Sequence, residues 1–242
     1  MTEKLIFEEL DKYFVAVEKE TKEKEKQVRY QLWIDWYSSW NDLYRWLEQL
    51  AGERKFKLLL IFRSFELYKQ ILWVCKCVYS GAYHTAIREL RFIFESFIQA
   101  YYVDKEHPDS EMECKLEIIK EIDKLIFGSK LINKTDLHNK KRLIELYSDL
   151  SKYVHSSYEQ MKSALKEGKV EPHILFTYDG ELFAKCYIFT DKVMDALVFI
   201  LMSFENEMIG KIQEDKILTQ LLEESNCKLS LNLLREYMNG EW

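Results

Sequence analysis

The fold class this sequence predicts is all-α, and three observations carry that reading. Only two prolines and seven glycines interrupt 242 residues, so long stretches run without a breaker. Within those stretches apolar residues recur at alternating spacings of three and four, the helical period rather than the strand period of two. The composition, 48% hydrophobic and 31% charged, is that of a chain able to build a packed core.

Residues 2 to 50 contain neither glycine nor proline. In "EKETKEKEKQVR" (18–29), Glu18–Lys22 and Glu25–Arg29 at i,i+4 support an exposed helix or a charged break between two helices. From Tyr30 the pattern turns aromatic. Tyr30, Trp33, Tyr37, Trp40, Tyr44 and Leu47 recur at 3-4-3-4-3, which predicts a core-facing seam, with a helix–helix dimer seam as the second reading. Gly52 ends that helix. The next segment, "KFKLLLIFRSFELYKQILWVCKCVYS", is apolar over much of its circumference and stops at Gly81, which predicts a central helix.

A fourth helix, "YHTAIRELRFIFESFIQAYYVDKE", ends before Pro108, and a more polar fifth is predicted over 109–127. The loop "GSKLINKTD" then leads to a sixth helix over 136–166. "HILFTYDGELF" fits two readings: Asp179-Gly180 as the turn of a short hairpin near 173–183, or Glu181 opening a helix. The tail predicts one strong helix to about Met208, a break at Gly210, and one or two polar helices from Lys211 to Met238. The expectation is a single domain over 1–242, a bundle of seven to nine helices, with 1–29 as an appended charged helix.

A net charge of −6 argues against a general polyanion binder. "HNKKR" (138–142) with Lys134 is the one dense basic cluster outside the N-terminal charge run. It could touch nucleic acid, although a solvated helix face is the simpler reading. The apolar runs "LLLIF" and "ALVFILM" fall far short of the ~20 residues a membrane helix needs. "MTEKLIFEELDKYF" lacks the apolar centre of a secretory signal, so a cytoplasmic protein without membrane attachment is expected. The five cysteines lack the spacing of a disulfide framework and are expected to be reduced core residues. Glycine-rich phosphate loops, zinc helices and nucleophile elbows are absent from the sequence, and no metal or cofactor is predicted.

Two polar columns border apolar stripes. On the sixth helix Ile144, Tyr147, Ser151 and Val154 form the predicted stripe, and Ser148, Ser151 and His155 line its edge at i, i+3 and i+7. On the fourth, Tyr83, Ile87, Leu90, Phe94, Phe97 and Tyr101 form the stripe, beside a column of His84, Arg88, Arg91 and Glu95. Arg91 and Glu95 can pair at i,i+4, whereas Arg88 has Phe92 at i+4 and needs a partner from outside its helix. The columns could join as a pocket in which Arg88, Arg91 and Glu95 face Ser148, Ser151 and His155. They could equally form a buried hydrogen-bond network that sets helix register, which is the preferred reading.

Gly81, Ala86, Arg91 and Glu95, followed by Tyr147, Leu150, Ser151, Val154 and His155, match G-x-x-x-x-A-x-x-x-x-R-x-x-x-E and Y-x-x-L-S-x-x-V-H. That pattern resembles a group of all-helical prokaryotic proteins distantly similar to the HEPN superfamily. The resemblance implies a helical bundle that dimerises, in an accessory or defence system, with RNA cleavage as one activity of such bundles. HEPN nucleases carry Arg, four to six residues, then His on one helix. Here those positions hold Ser148, Asp149 and Leu150, and Arg142 is too distant. The implied function is a non-catalytic interaction or ligand-binding protein. A divergent ribonuclease using His155 with Arg88 or Arg91 is the alternative. A homodimer is expected, since the third helix and the aromatic seam expose more apolar surface than one bundle hides.

Overall fold

The computed structural model describes residues 3–25, 27–125, 128–153 and 178–240. Every regular element among them is helical: eleven α-helices and one 3-10 helix, more than the seven to nine expected. Helices α1 (Glu3–Lys24) and α2 (Gln27–Ala51) lead through the 3-10 helix Gly52–Lys57 to α3 (Leu59–Tyr79) and α4 (Tyr83–Glu106). Then come α5 (Met112–Leu125), α6 (Ser129–Lys134) and α7 (Lys140–Ser151). The C-terminal part holds α8 (Gly180–Phe204), α9 (Glu207–Glu214), α10 (Lys216–Glu224) and α11 (Lys228–Met238). No described helix is long and apolar enough to cross a membrane.

Helix α4 is the centre, packing against α3, α5, α6, α7 and α8. Its predicted stripe from Tyr83 to Tyr101 is buried throughout, and Ala86, Ile93 and Val103 are buried as well. The α3–α4 connection turns at Gly81, whose φ of +76° is a conformation that side chains with a Cβ resist. Helix α8 is the second core helix, with every residue from Val193 to Met202 buried.

Several expected boundaries are corrected. The loop expected after Gly128 contains α6, and α7 begins at Lys140 rather than 136 because Asn139 takes a left-handed turn with φ +57°. Asp179 does not make a hairpin turn. Its side chain accepts the Glu181 and Leu182 amides at 2.9 and 3.0 Å, so Asp179 is the N-cap of α8. Residues 173–177 lie outside the described part. Gly210 sits inside α9, and the chain breaks at Glu205 and Asp215 instead.

The buried stripe of α2 is Trp33, Trp36, Trp40, Leu43 and Leu47: Trp33, Trp40 and Leu47 are as expected, and Trp36 and Leu43 replace Tyr37 and Tyr44. Trp36 and Trp40 are enclosed because each indole N–H has an acceptor, Asp191 Oδ1 and the Ser64 carbonyl, both at 2.9 Å. Tyr37 and Tyr44 lie at the rim, edge-on to Tyr68 at 5.5 and 6.1 Å. On α7 the buried residues are Leu143, Leu146 and Leu150, so Ile144 and Tyr147 flank the stripe rather than form it.

A buried ion pair ties three helices together. Asp104, near the end of α4, and Lys115, in the first turn of α5, have side-chain exposures of 0% and meet at 2.8 Å. The Asp104 carboxylate also accepts the Leu59 and Leu60 amides at 3.1 and 2.9 Å, capping α3. Lys115 Nζ donates onward to the Lys57 carbonyl at 2.7 Å. Burial pushes the Asp104 carboxyl up, and Lys115 and the two amides oppose it.

Lys115→Met therefore leaves a carboxylate buried without its cation. It is expected to lower unfolding free energy by about 3–5 kcal/mol in urea denaturation. Lys120→Met, which removes an exposed pair with Glu117, should barely move the midpoint. Equal midpoints for the two variants would show that the Asp104 site is hydrated.

Candidate functional site

Of the two predicted columns only that of α4 reaches the α4–α7 seam, where it meets Tyr147 of the predicted stripe rather than Ser148 or Ser151. A guanidinium N–H of Arg91 donates to Tyr147 Oη at 2.6 Å, with the group 4.9 Å from the ring centroid. Glu95 stands 3.9 Å away, a loose ion pair. Burial pushes the Glu95 carboxyl up, while Arg91 and the Gly128 amide pull it down. Gly128, with φ +61°, lies so close to Tyr147 that an added Cβ would sit 2.3 Å from the ring. The space beneath, lined by Phe94, Ile98 and Leu131, does not admit a water molecule. The Arg91 and Glu95 side chains above it are mostly buried, with exposures of 16% and 21%.

The remaining predicted residues fall elsewhere. Arg88 is exposed, a solvated charge that needs no partner, which corrects the expectation of a buried cation. Ser148 is also exposed, and Ser151 donates back to the Tyr147 carbonyl at 2.7 Å within its own helix. His155 lies outside the described residues. His84 is half-buried, its ring 6.0 Å from that of Tyr153, and burial together with Arg88 holds its pKa down.

The open concavity lies on the other side of α7. A cleft of about 510 Å³, the size of small-molecule sites, separates α7, α8 and the α10–α11 turn. Helix α7 contributes Arg142, Glu145 and Asp149, and α8 contributes Ile188, Asp191, Lys192 and Asp195 at i, i+3, i+4 and i+7. The turn adds Ser225, Asn226 and Lys228. Asn226, with φ +52°, reverses the chain there.

The two acids of α8 have different duties. Asp195 is buried and accepts the Leu229 and Ser230 amides at 2.9 and 2.8 Å, capping α11 from another helix. Asp191 accepts the Trp36 indole N–H. Burial pushes the Asp191 carboxyl up to about 6, with Asp195 adding to the rise and the Trp36 and Ser225 side chains opposing it.

No metal chemistry is built here: among the described residues no group of three or more His, Cys, Asp or Glu could hold an ion. All five cysteines are free, and Cys114 is exposed, contrary to the expected core placement. Burial raises the Cys75 and Cys77 thiols to about 11, far from a reactive thiolate.

Sequence reasoning found Arg91, Glu95 and Tyr147 but not the cleft. A signal for it existed. "TDKVMDALVFILM" places two acids and a lysine in a helix that is otherwise apolar, and such charges need partners from other elements. No protein-family model, curated protein or solved structure matches the chain.

Two outcomes test this geometry. Gly128→Ala must strain φ and displace Tyr147, and should cost roughly 1–3 kcal/mol. Arg91→Ala should cost about 2–4 kcal/mol, and the two losses should fall short of additive in the double variant, since both act through Tyr147. Full additivity in chemical denaturation would separate them.

The second outcome concerns Asp191. Its folded pKa lies above the unfolded value of 3.8, so its proton stabilises the fold fully below about pH 4. That stabilisation is lost as pH rises through about 6. Asp191→Asn keeps an oxygen for Trp36 and carries no charge. It should be more stable than the native chain by about 1–2 kcal/mol near pH 8, the difference vanishing near pH 4. A variant that is weaker at both values would mean that the carboxylate is favoured in place.

Proposed function

We propose that this chain is a non-catalytic helical ligand-binding protein of a prokaryotic accessory or defence system, distantly HEPN-like, acting in the cytoplasm as a homodimer. The observation that carries the reading is the commitment of Arg91. The ribonuclease alternative needs an arginine free to hold a phosphate beside a histidine. Arg91 instead donates to Tyr147 at 2.6 Å with Glu95 3.9 Å away, and Arg88 is exposed on the helix surface. The concave, solvent-open site is the α7–α8 cleft, where burial raises both Asp191 and Asp195 and each is already engaged, Asp191 by the Trp36 indole and Asp195 by two amides of α11.

The homodimer reading draws on α3, where Phe62, Phe65, Leu72 and Trp73 share one face and are each about half exposed. A face of that kind is covered most simply by its own copy about a two-fold axis.

The experiment is RNA cleavage by the purified full chain, run beside sedimentation equilibrium at tens of micromolar. No cleavage is expected, and the sedimenting species should be a dimer that Phe65→Glu with Trp73→Glu dissociates. Cleavage that disappears in both His155→Gln and Arg88→Ala would establish the ribonuclease reading instead. A monomer throughout would remove the dimer.

A further inference from the structure

The cleft between α7, α8 and the α10–α11 turn holds charges of both signs, and most of them stand apart. Arg142, Glu145, Asp191, Lys192 and Lys228 line it, and none of them makes an ion pair among the described residues. Of the other two acids, Asp149 turns to Lys152 at 2.7 Å, and Asp195 has both oxygens on the Leu229 and Ser230 amides. Elsewhere on the surface, Lys120, Lys124 and Lys185 each pair with a glutamate three or four residues away. Unpaired ions of opposite sign around one concavity are therefore a local exception.

The fold sorts these charges by position. Burial pushes the Asp195 carboxyl up, and Arg142 is close enough to oppose the rise. Tyr153, just past α7, has its ring 5.8 Å from that of Phe189. Helices α7 and α8 therefore run in opposite directions along the cleft. Arg142 lies level with Asp195, where the start of α11 also brings Lys228, so two cations outnumber one acid at that end. One turn inward, Glu145 and Asp191 lie level with each other. Lys192 leans over the Phe189 ring at 5.9 Å, toward the opposite end, which leaves the middle acidic. The Ser225 hydroxyl beside Asp191 is buried and has no hydrogen-bond partner among the described residues.

A cleft with a cationic end, an acidic middle and little net charge suits a ligand that carries both charges. The Arg142 fork matches the two oxygens of a carboxylate, with Lys228 as a point charge beside it. A primary ammonium only donates, and it fits a site of acid and hydroxyl oxygens. Asp191 gives one oxygen to Trp36 and keeps the other, next to Ser225 and level with Glu145. A volume of about 510 Å³ holds a compact organic molecule, and Leu146 and Ile188 offer it apolar surface. We propose that the cleft binds a free amino acid as its zwitterion. Its carboxylate lies on Arg142 and Lys228, its ammonium among Glu145, Asp191 and Ser225, and an apolar side chain toward Ile188. The inference rests on the ligand-binding reading and names the ligand class.

The test is calorimetric titration of the full chain with L-leucine, L-phenylalanine, phenethylamine, phenylpropionate and phenyl phosphate. Phenethylamine lacks the carboxylate of phenylalanine, and phenylpropionate lacks its ammonium. The amino acids should bind one per chain, and loss of either charged group should weaken binding about tenfold or more, the worth of one charge-assisted contact. Arg142→Gln should weaken L-phenylalanine and phenylpropionate without weakening phenethylamine. Glu145→Gln should weaken L-phenylalanine and phenethylamine without weakening phenylpropionate. Lys141→Gln, on the same helix and outside the cleft, should change none of them. These three positions are exposed, so thermal melting should show each variant folded.

The crossed pattern of the two glutamine variants supports the proposal. Failure of both amino acids to bind at millimolar concentration overturns it, as does equal weakening of every compound by both variants. Phenethylamine, phenylpropionate or phenyl phosphate binding as tightly as L-phenylalanine overturns the zwitterion class and leaves the ligand-binding reading intact. A thermal-shift screen of neutral, anionic and cationic small molecules separates the two claims further. A stabiliser other than an amino acid keeps the ligand-binding reading while the amino-acid assignment falls, and no stabiliser at all removes both.

Discussion

The buried Asp104–Lys115 pair is the constraint on which the arrangement of the central helices depends. Helix α3 begins after Leu58, a residue with no side chain able to cap the first amides. Asp104, at the far end of the neighbouring helix, would be an isolated charge in the core if left alone. Each defect answers the other: the carboxylate takes the orphan amides, and Lys115 neutralises what remains. Sliding α3 against α4 by one turn, about 5.4 Å, would break both amide contacts and leave the first turn of α3 uncapped. The α3–α4 register is therefore set by electrostatics at one end and by the Gly81 turn at the other. Helix α4, so placed, carries the core-facing stripe and the Arg91 cluster.

The same device recurs where α8 meets α11. Cys227 precedes α11 and supplies no cap, so Asp195 reaches across from the middle of α8 to take two amides, and the Ser230 hydroxyl returns a bond to the Asp195 carbonyl at 3.0 Å. Contrast α8 and α10, which begin at Asp179 and Asp215 and cap themselves. Helices with a local cap are free to be placed by packing alone. Two that lack one, α3 and α11, are pinned to a distant acid. Pinning α11 to α8 holds the Ser225–Asn226 turn beside α7, and the cleft is the space left between these three elements. One helical turn before Asp195, Asp191 lies on the same face and is tied to Trp36 of α2, so a core tryptophan reaches the wall of the cleft.

This explains which features could be read from sequence. The α4 stripe was legible because an apolar period reports burial directly. The α2 stripe was legible in part: Trp33, Trp40 and Leu47 are buried as their spacing implies, while Trp36 and Leu43 take the places expected of Tyr37 and Tyr44, one residue on. At that step the Trp36 indole N–H finds an acceptor in Asp191, whereas Tyr37 and Tyr44 lie at the rim against Tyr68. Arg91, Glu95 and Tyr147 stood out by spacing, but the openness of their surroundings was not written in the chain. Phe92 beside Arg88 looked like an apolar environment, yet both are exposed on one face of α4. The tertiary caps were invisible because each partner lies dozens of residues away. Their only local trace is negative, a helix start at Leu58 or Cys227 without a capping side chain.

The two polar clusters flanking α7 differ in the quantity that matters for binding. At the Arg91 cluster the guanidinium already donates to Tyr147 and stands beside Glu95, so a ligand would have to replace protein contacts with its own and gain little. In the cleft the acids are held by neutral donors, Asp195 by two amides of α11 and Asp191 by the Trp36 indole, and such bonds leave a carboxylate its charge. Arg142, Lys192 and Lys228 therefore share the cleft with charged partners rather than with spent ones. The aspartate that fixes the C-terminal helix thus also sets the charge of the cleft wall, and packing and electrostatics on this side of the molecule are linked through one row of α8.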